Sequence, residues 1–501
     1  MSFEDSDFIQ NGDGANFSSD PESSMASGKD DVSYFEMRGC SFDEHEESLY
    51  LLGNAHDFRI SKIYHVPPDG FINFEKLLSS ALSQHDIDRL GLSHDNVTLP
   101  VALMALDPDQ YPTLSRSRKA CRKGSILLHK GPLPSQLDSP SDKNLTSPFA
   151  SLPKAGTDSR VQPGDVIARQ VRTGGGFYPS LNYARPPFEL PVVYEDDFFA
   201  IVQKPCGIVV YSHRNQGSGT LNVRSALPFV LRPPRRGTME ILRRPQPVHR
   251  LDKPTSGLLL VAKTKPAHTD LTRQFVHRSV KKTYCAIVNG IPDEPLEHRL
   301  SSDQAYQLGV DVTPTGTGED YWQIIDSPLD DGDSLKSAVT VWRVLKYVPS
   351  LVAEQGTLTL LELKPKTGRY HQLRQHLSMV TNTPIVGDKR YDGGSLSSMK
   401  LRARGLFLCS NKVVLEHPFY NSDIGRREWS GLQLDGEGKY QQEGSSYRIW
   451  HDQISDKVMV EAEITLPTKF HAFLQNEEER YHRVSSRSSS VDASIEDLDP
   501  S

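Results

Sequence analysis

From Gly257 to Lys263 the chain reads Gly-Leu-Leu-Leu-Val-Ala-Lys, almost without a polar break, and it is entered through the turn His249-Arg250-Leu251-Asp252-Lys253-Pro254-Thr255-Ser256. A half-buried strand alternates apolar and polar residues; a run that does not alternate suits a strand buried on both faces, at the centre of a sheet. The same stretch holds one carboxylate, Asp252, on rigid scaffold beside several arginines. A potential nucleophile so placed makes enzyme chemistry the first hypothesis.

The flanking patterns are mixed. Pro266 fits a helix start, with Leu271 and Phe275 four apart. Residues 281–290 alternate, Tyr284, Ala286 and Val288 on one face and Cys285 and Ile287 on the other. Thr357 to Leu363 is another β-rich run, and Leu373, Leu377 and Val380 form the apolar stripe of a helix starting near Tyr370, with Arg374 at its edge. Strands and helices in this order predict an α+β fold.

Composition sets outer limits. A chain of 501 residues has room for two to four domains, and 37% apolar with 24% charged residues is ordinary for a globular protein. No apolar run approaches the roughly 20 residues that cross a bilayer. The acidic start, Met-Ser-Phe-Glu-Asp-Ser-Asp, argues against a secretory or mitochondrial leader, so cytoplasm or nucleus is expected, an organelle staying open. Cys40, Cys121, Cys206, Cys285 and Cys409 include no Cys-x-x-Cys pair, and His371 and His376 are five apart on a helix. Neither a disulfide framework nor a metal site is expected.

The net charge of −7 is unevenly spread. Acid gathers at the ends, in Asp43-Glu44-His45-Glu46-Glu47 and Glu477-Glu478-Glu479, whereas Arg232, Arg235, Arg236, Arg243, Arg244 and Arg250 face Glu240 alone. Such a patch supplies counterion-release affinity for phosphate, which makes a nucleic acid the expected partner; a solvated, Pro-rich loop is the plainer alternative.

The block His249-Arg250-Leu251-Asp252 and six further ordered blocks carry a family resemblance. The six are Ala200-Ile201-Val202-Gln203-Lys204-Pro205-Cys206-Gly207, Lys281-Lys282-Thr283-Tyr284-Cys285, Ala338-Val339-Thr340-Val341-Trp342, Lys366-Thr367-Gly368-Arg369-Tyr370-His371-Gln372-Leu373-Arg374, Pro384-Ile385-Val386-Gly387-Asp388 and Glu416-His417-Pro418. Spread between Val192 and Phe473, they resemble the RluA-type pseudouridine synthases. The resemblance implies a mixed, largely antiparallel sheet with a cleft across it, a uridine flipped out of RNA, and no cofactor or metal. It makes Asp252 the nucleophile, Tyr284 the ring that stacks on the flipped uracil, and Arg374 the cation paired with Asp252, in a bidentate geometry. Arg250 would enter the space left by the base, or else contact a phosphate. Arg369 is expected to bind phosphate or support structure, and His249 and His371 to orient the turn and the helix. Without the resemblance, Tyr284 reads equally well as a core residue on a strand face.

A second resemblance is smaller. Leu114 to Gly131, a basic helix with Arg116, Arg118, Lys119, Arg122 and Lys123 running into a short strand, resembles the α-L RNA-binding domain of ribosomal proteins; a basic surface helix without RNA contact is the alternative. The expected map is a disordered acidic region at 1–50, an uncharacterised segment at 51–96 with a possible amphipathic helix, and an α-L domain at 97–171 with an insertion at 132–158. A catalytic domain at 185–480 and a disordered tail at 481–501 follow, in a chain expected to be monomeric and without membrane partners. A non-catalytic RNA-binding or ribosome-assembly factor on the same fold is the competing reading; a zinc deaminase is set aside because its Pro-Cys-x-x-Cys ligand motif is absent.

Overall fold

The computed structural model describes residues 58–71, 96–132, 155–177, 187–211, 222–235, 237–293, 298–310, 321–330, 334–430 and 446–496, with a few isolated positions besides. These fall into two compact units, divided at 178/179, 232/233 and 243/244. Most of the helix expected over 70–92, most of the insertion and Arg236 lie outside the described residues. Among the described residues no helix is long and apolar enough to cross a membrane.

The smaller unit is a three-stranded antiparallel sheet with two helices: β1 (Phe58–His65), α1 (Leu99–Leu106), α2 (Leu114–Arg122), β2 (Ile126–His129) and β3 (Val166–Arg172), in the order β1-β3-β2. Thr113 caps α2 by accepting the Arg116 amide at 3.3 Å, and Leu99, Leu103, Tyr111, Cys121, Ile126 and Ile167 close the core beneath it. The helix-to-strand reading of 114–129 therefore holds. Strand β1 was not expected. Its pairing with β3 slips between Ile60 and Lys62, so the apolar positions change face within the strand and the period of two is lost from the sequence.

Residues 233–243, expected to belong with the catalytic domain, pack in the smaller unit. Gly237 N donates to Thr173 O, Arg172 Nη1 to Leu242 O at 3.2 Å, and Arg169 pairs with Glu240 at 2.7 Å.

The larger unit is built on one sheet, twelve-stranded among the described residues. Its elements are β4 (Val192–Glu195), β5 (Phe199–Lys204), α3 (Val223–Val230), β6 (Ile241–Pro247, counted in this unit from Arg244), β7 (Ser256–Thr264), α4 (Lys265–Val276), β8 (Lys281–Asn289) and β9 (Gln323–Asp326). They continue with β10 (Val339–Pro349), β11 (Thr357–Pro365), α5 (Gln372–Met379), β12 (Leu408–Glu416), β13 (Tyr447–Asp452), β14 (Lys457–Glu463) and α6 (Thr468–Glu496). The strands β9-β10-β11-β8-β12-β14-β13 pair antiparallel in that order. Strand β7 leaves this path: it pairs antiparallel with β5 and parallel with β12. All nine of its residues are buried, as its unbroken apolar run requires. Leu373 and Leu377 of α5 share one core with Ala286, Val288, Trp342, Leu361 and Leu363.

The parallel junction is short, Ser256 opposite Cys409 and Gly257 opposite Ser410. It works only because Gly257 has φ +116° and no side chain; a Cβ there would lie 2.1 Å from Ser410 O. Both the backbone angle and the contact forbid any other residue. Gly257→Ala is expected to cost more than about 3 kcal/mol, adding left-handed strain to overpacking. A urea midpoint equal to wild type would show that the two strands can part without penalty.

Candidate active site

That junction sets the geometry of the site. Ser410 also lies opposite Tyr284 on β8, where the β8/β12 register slips between Thr283 and Tyr284. A bulge at this point re-aims the tyrosine. Burial pushes the Tyr284 phenol up to about 12; the neighbouring Ser410 side chain opposes this and the charge of Asp252 adds to it. One residue of β12 thus links the strand after the Asp252 turn to the strand that carries Tyr284.

The turn itself is tied from behind. Lys204, fully buried at the end of β5, donates from Nζ to the carbonyls of Pro205 at 2.9 Å, Ile208 at 2.7 Å and Lys253 at 3.3 Å. Gly207 N also donates to Lys253 O, at 2.8 Å, and Thr255 N donates to Asp252 O, at 3.1 Å. Burial pushes the Lys204 ammonium down to about 8, with Cys206 and Asp252 acting against it. The block containing Lys204 was legible in the sequence, but its clamping part was not, because its acceptors come from two loops.

Arg374 corrects an expectation. It is only 6% exposed, inside the helix stripe rather than at its edge, and its fork is taken by Asp388. Nε donates to Asp388 Oδ2 at 2.7 Å and Nη2 to Oδ1 at 2.8 Å. Only Nη1 faces Asp252, 3.7 Å from Oδ2, and it donates at 3.2 Å to His371 Nε2. The bidentate partner is therefore Asp388 and not Asp252. Burial depresses the Arg374 guanidinium, but Asp388 and then Asp252 outweigh it, so the pKa is raised; Asp388 is driven up by burial and held down, on balance, by Arg374 and the amides of Arg390 and Tyr391. This leaves Asp252, one fifth exposed at the side chain, with a cation beside it and its oxygens not locked in a fork.

The helix starts at Gln372, two residues later than expected, because His371 has φ +50°. The left-handed residue turns the chain so that His371 faces inward: Nε2 lies 3.7 Å from Asp252 Oδ2, and Nδ1 lies 3.1 Å from the Tyr391 hydroxyl. Since Nε2 accepts from Arg374, Nδ1 carries the proton and donates to Tyr391.

A family description, RNA pseudouridylate synthase, matches residues 198–379. The ribosomal large subunit pseudouridine synthase D of Neisseria meningitidis serogroup B is 32% identical over 347 residues, 66% of this chain and 76% of that protein. The tRNA pseudouridine synthase C of Vibrio parahaemolyticus is 31% identical over 245 residues, 48% of this chain and 89% of that one. An uncharacterized RNA pseudouridine synthase of Aquifex aeolicus is 32% identical over 259 residues, 50% and 71%. The chain belongs to the RluA-type RNA pseudouridine synthases.

The remaining expected site residues of the synthase, an isomerase by family, are dispersed. His249 is turned inward: Nε2 accepts the Leu260 amide at 3.0 Å and the ring stacks on Phe275 at 4.7 Å. Arg250 is exposed. Arg369 donates from Nε to Ser337 O at 3.0 Å, about the start of α5. In the smaller unit Arg116, Arg118, Arg122 and Lys123 are exposed and Lys119 partly so; Arg235 is exposed. Asp388 was not expected as the partner of Arg374. The available signal was a deeply buried arginine, which demands a carboxylate.

Two histidines are expected to make the synthase acid-sensitive. Burial, then the charge of Lys282, pushes His249 down to about 3 against a backbone bond at Arg250; burial pushes His371 down to about 4 against Asp252. Unfolded, both titrate near 6.5. Between about 6.5 and 4 the unfolded chain therefore binds protons that the folded chain refuses, and stability falls as pH drops. Urea unfolding from pH 7 to 5 should lose up to about 1.4 kcal/mol per pH unit for each histidine. His249→Asn should reduce the slope. A flat wild-type profile would contradict the neutral rings.

Proposed function

We propose that the synthase isomerises specific uridines of an RNA to pseudouridine, with Asp252 as nucleophile. The observation that supports this best is the arrangement just described: a carboxylate in a rigid turn, a single charge contact from a buried arginine, and a tyrosine joined to the same turn through Ser410.

The reaction breaks the bond from N1 of uracil to C1′ of ribose and makes one from C5 to C1′. The C5 proton leaves and N1 gains one, so no redox partner is needed. Asp252 attacks or stabilises C1′ as carboxylates do in glycoside cleavage, while the base, flipped from its stack, turns over. Tyr284 offers a ring face to the loose uracil and a polar tip near it. Arg250, exposed two residues before the nucleophile, is assigned to the gap left by the base, and Arg369 to the backbone nearby. Phosphate affinity outside the cleft is assigned to Arg116, Arg118, Lys119, Arg122 and Lys123, with Arg235 and Arg236.

RNA transcribed with uridine tritiated at C5 tests the reading, since only attack through C5 releases that tritium. Release to water by the full chain, abolished in the variant described first in the Discussion, is expected. RNA binding without release would make the protein a non-catalytic RNA-binding or assembly factor.

A further inference from the structure

We propose that Tyr370 and Arg390 form a seat for the nucleotide adjoining the target uridine, Tyr370 stacking on its base and Arg390 holding its phosphate. The inference rests on the reading of Asp252 as the centre of an RNA-modifying site, and adds a subsite to it.

Tyr370 stands on the outer side of the left-handed turn that faces His371 inward. It is 52% exposed, and one face of its ring stacks on the His371 imidazole, with centroids 3.7 Å apart and planes at 20°. Nε2 of the same imidazole lies 3.7 Å from Asp252 Oδ2. An accessible aromatic ring therefore lies one ring away from the proposed nucleophile. It is held in place: Gln375 Nε2 donates to the Tyr370 carbonyl at 2.8 Å, and Arg390 Nη1 donates to its hydroxyl at 3.2 Å.

Arg390 is exposed, with its guanidinium 5.7 Å from the Tyr370 ring centre and 5.6 Å from that of Tyr391. Poised over two rings, it keeps further N–H donors for an anion. Its amide donates to Asp388 Oδ1 at 2.9 Å, an oxygen that also accepts from Arg374. One buried carboxylate thus sets both the cation beside Asp252 and the cation of the seat. Lys389, exposed beside it, adds positive charge.

An aromatic face with an adjacent guanidinium is the chemistry that single-stranded RNA requires, because every base has a π-face and every linkage a phosphate. A uridine drawn into the cleft brings its neighbour to the rim. The neighbour is unstacked on the side the uridine has left, and Tyr370 replaces the lost partner.

The test uses the full chain carrying Asp252→Asn and two fluorescein-labelled probes, decauridylate and an abasic decamer of the same backbone, read by anisotropy. Tyr370→Leu should weaken decauridylate binding about five- to hundredfold, the range of one base stacked on a ring, and leave the abasic probe unchanged. Tyr370→Phe, which keeps the ring, should stay within about twofold of the parent, and Arg390→Ala should weaken both probes. Wild-type affinity in Tyr370→Leu, or equal losses on both probes, would overturn the seat. Tritium release by the chain with Asp252 restored is measured separately. Release without any effect of Tyr370→Leu on binding removes the seat alone; loss of decauridylate binding without release removes the synthase chemistry alone.

Discussion

Asp252→Asn is expected to fold, to bind RNA with unchanged affinity, and to release tritium from C5-labelled uridine about four orders of magnitude or more slower than wild type in single turnover. The side chains have the same shape, and the clamps on the turn use backbone atoms: the Lys253 carbonyl for Lys204 and the Asp252 carbonyl for the Thr255 amide. Folding should therefore survive. An amide lacks the charge and the basic lone pair that a bond to C1′ requires, so the loss falls on chemistry. Arg374 still has Asp388, which limits the structural damage from the missing charge. Turnover near the wild-type rate would remove Asp252 from the mechanism.

The second large effect belongs to the Arg374–Asp388 pair. Arg374→Lys keeps a positive charge but has one nitrogen where three are used, two on Asp388 and one towards His371 and Asp252. A lysine cannot do both, so the single-turnover rate should fall about a hundredfold while RNA affinity stays within about threefold. Asp388→Asn should match that loss of rate by another route. It frees the guanidinium fork to close on Asp252, and a carboxylate gripped through both oxygens is a poor nucleophile. It also leaves a buried charge without its partner, which costs about 3–5 kcal/mol, so its urea midpoint should drop where that of Asp252→Asn does not. Full activity in Arg374→Lys would show that the fork has no part in turnover, and full activity in Asp388→Asn would show that Asp388 does not position Arg374.

Local pattern carried much of the architecture. The unbroken apolar run made β7 a buried central strand and Pro266 marked the start of α4, each a pattern or backbone restriction expressed within a few residues; the strand read over 281–290 is β8, although Cys285 to Asn289 are all buried rather than alternating. The same level of information failed at β1, where a bulge shifts the period, and at His371, where one left-handed residue delays the helix.

By itself, then, the sequence determined the Asp252 turn, the strand behind it and the set of charged residues available to it, since these depend on neighbours in the chain. Tertiary structure alone decided how those charges are shared. Asp388 claims the fork of Arg374, Ser410 joins Gly257 to Tyr284, and Lys204 closes on Lys253, 49 residues away in the chain. A buried cation takes the carboxylate that lies closest once the core has packed, and no local period encodes that distance.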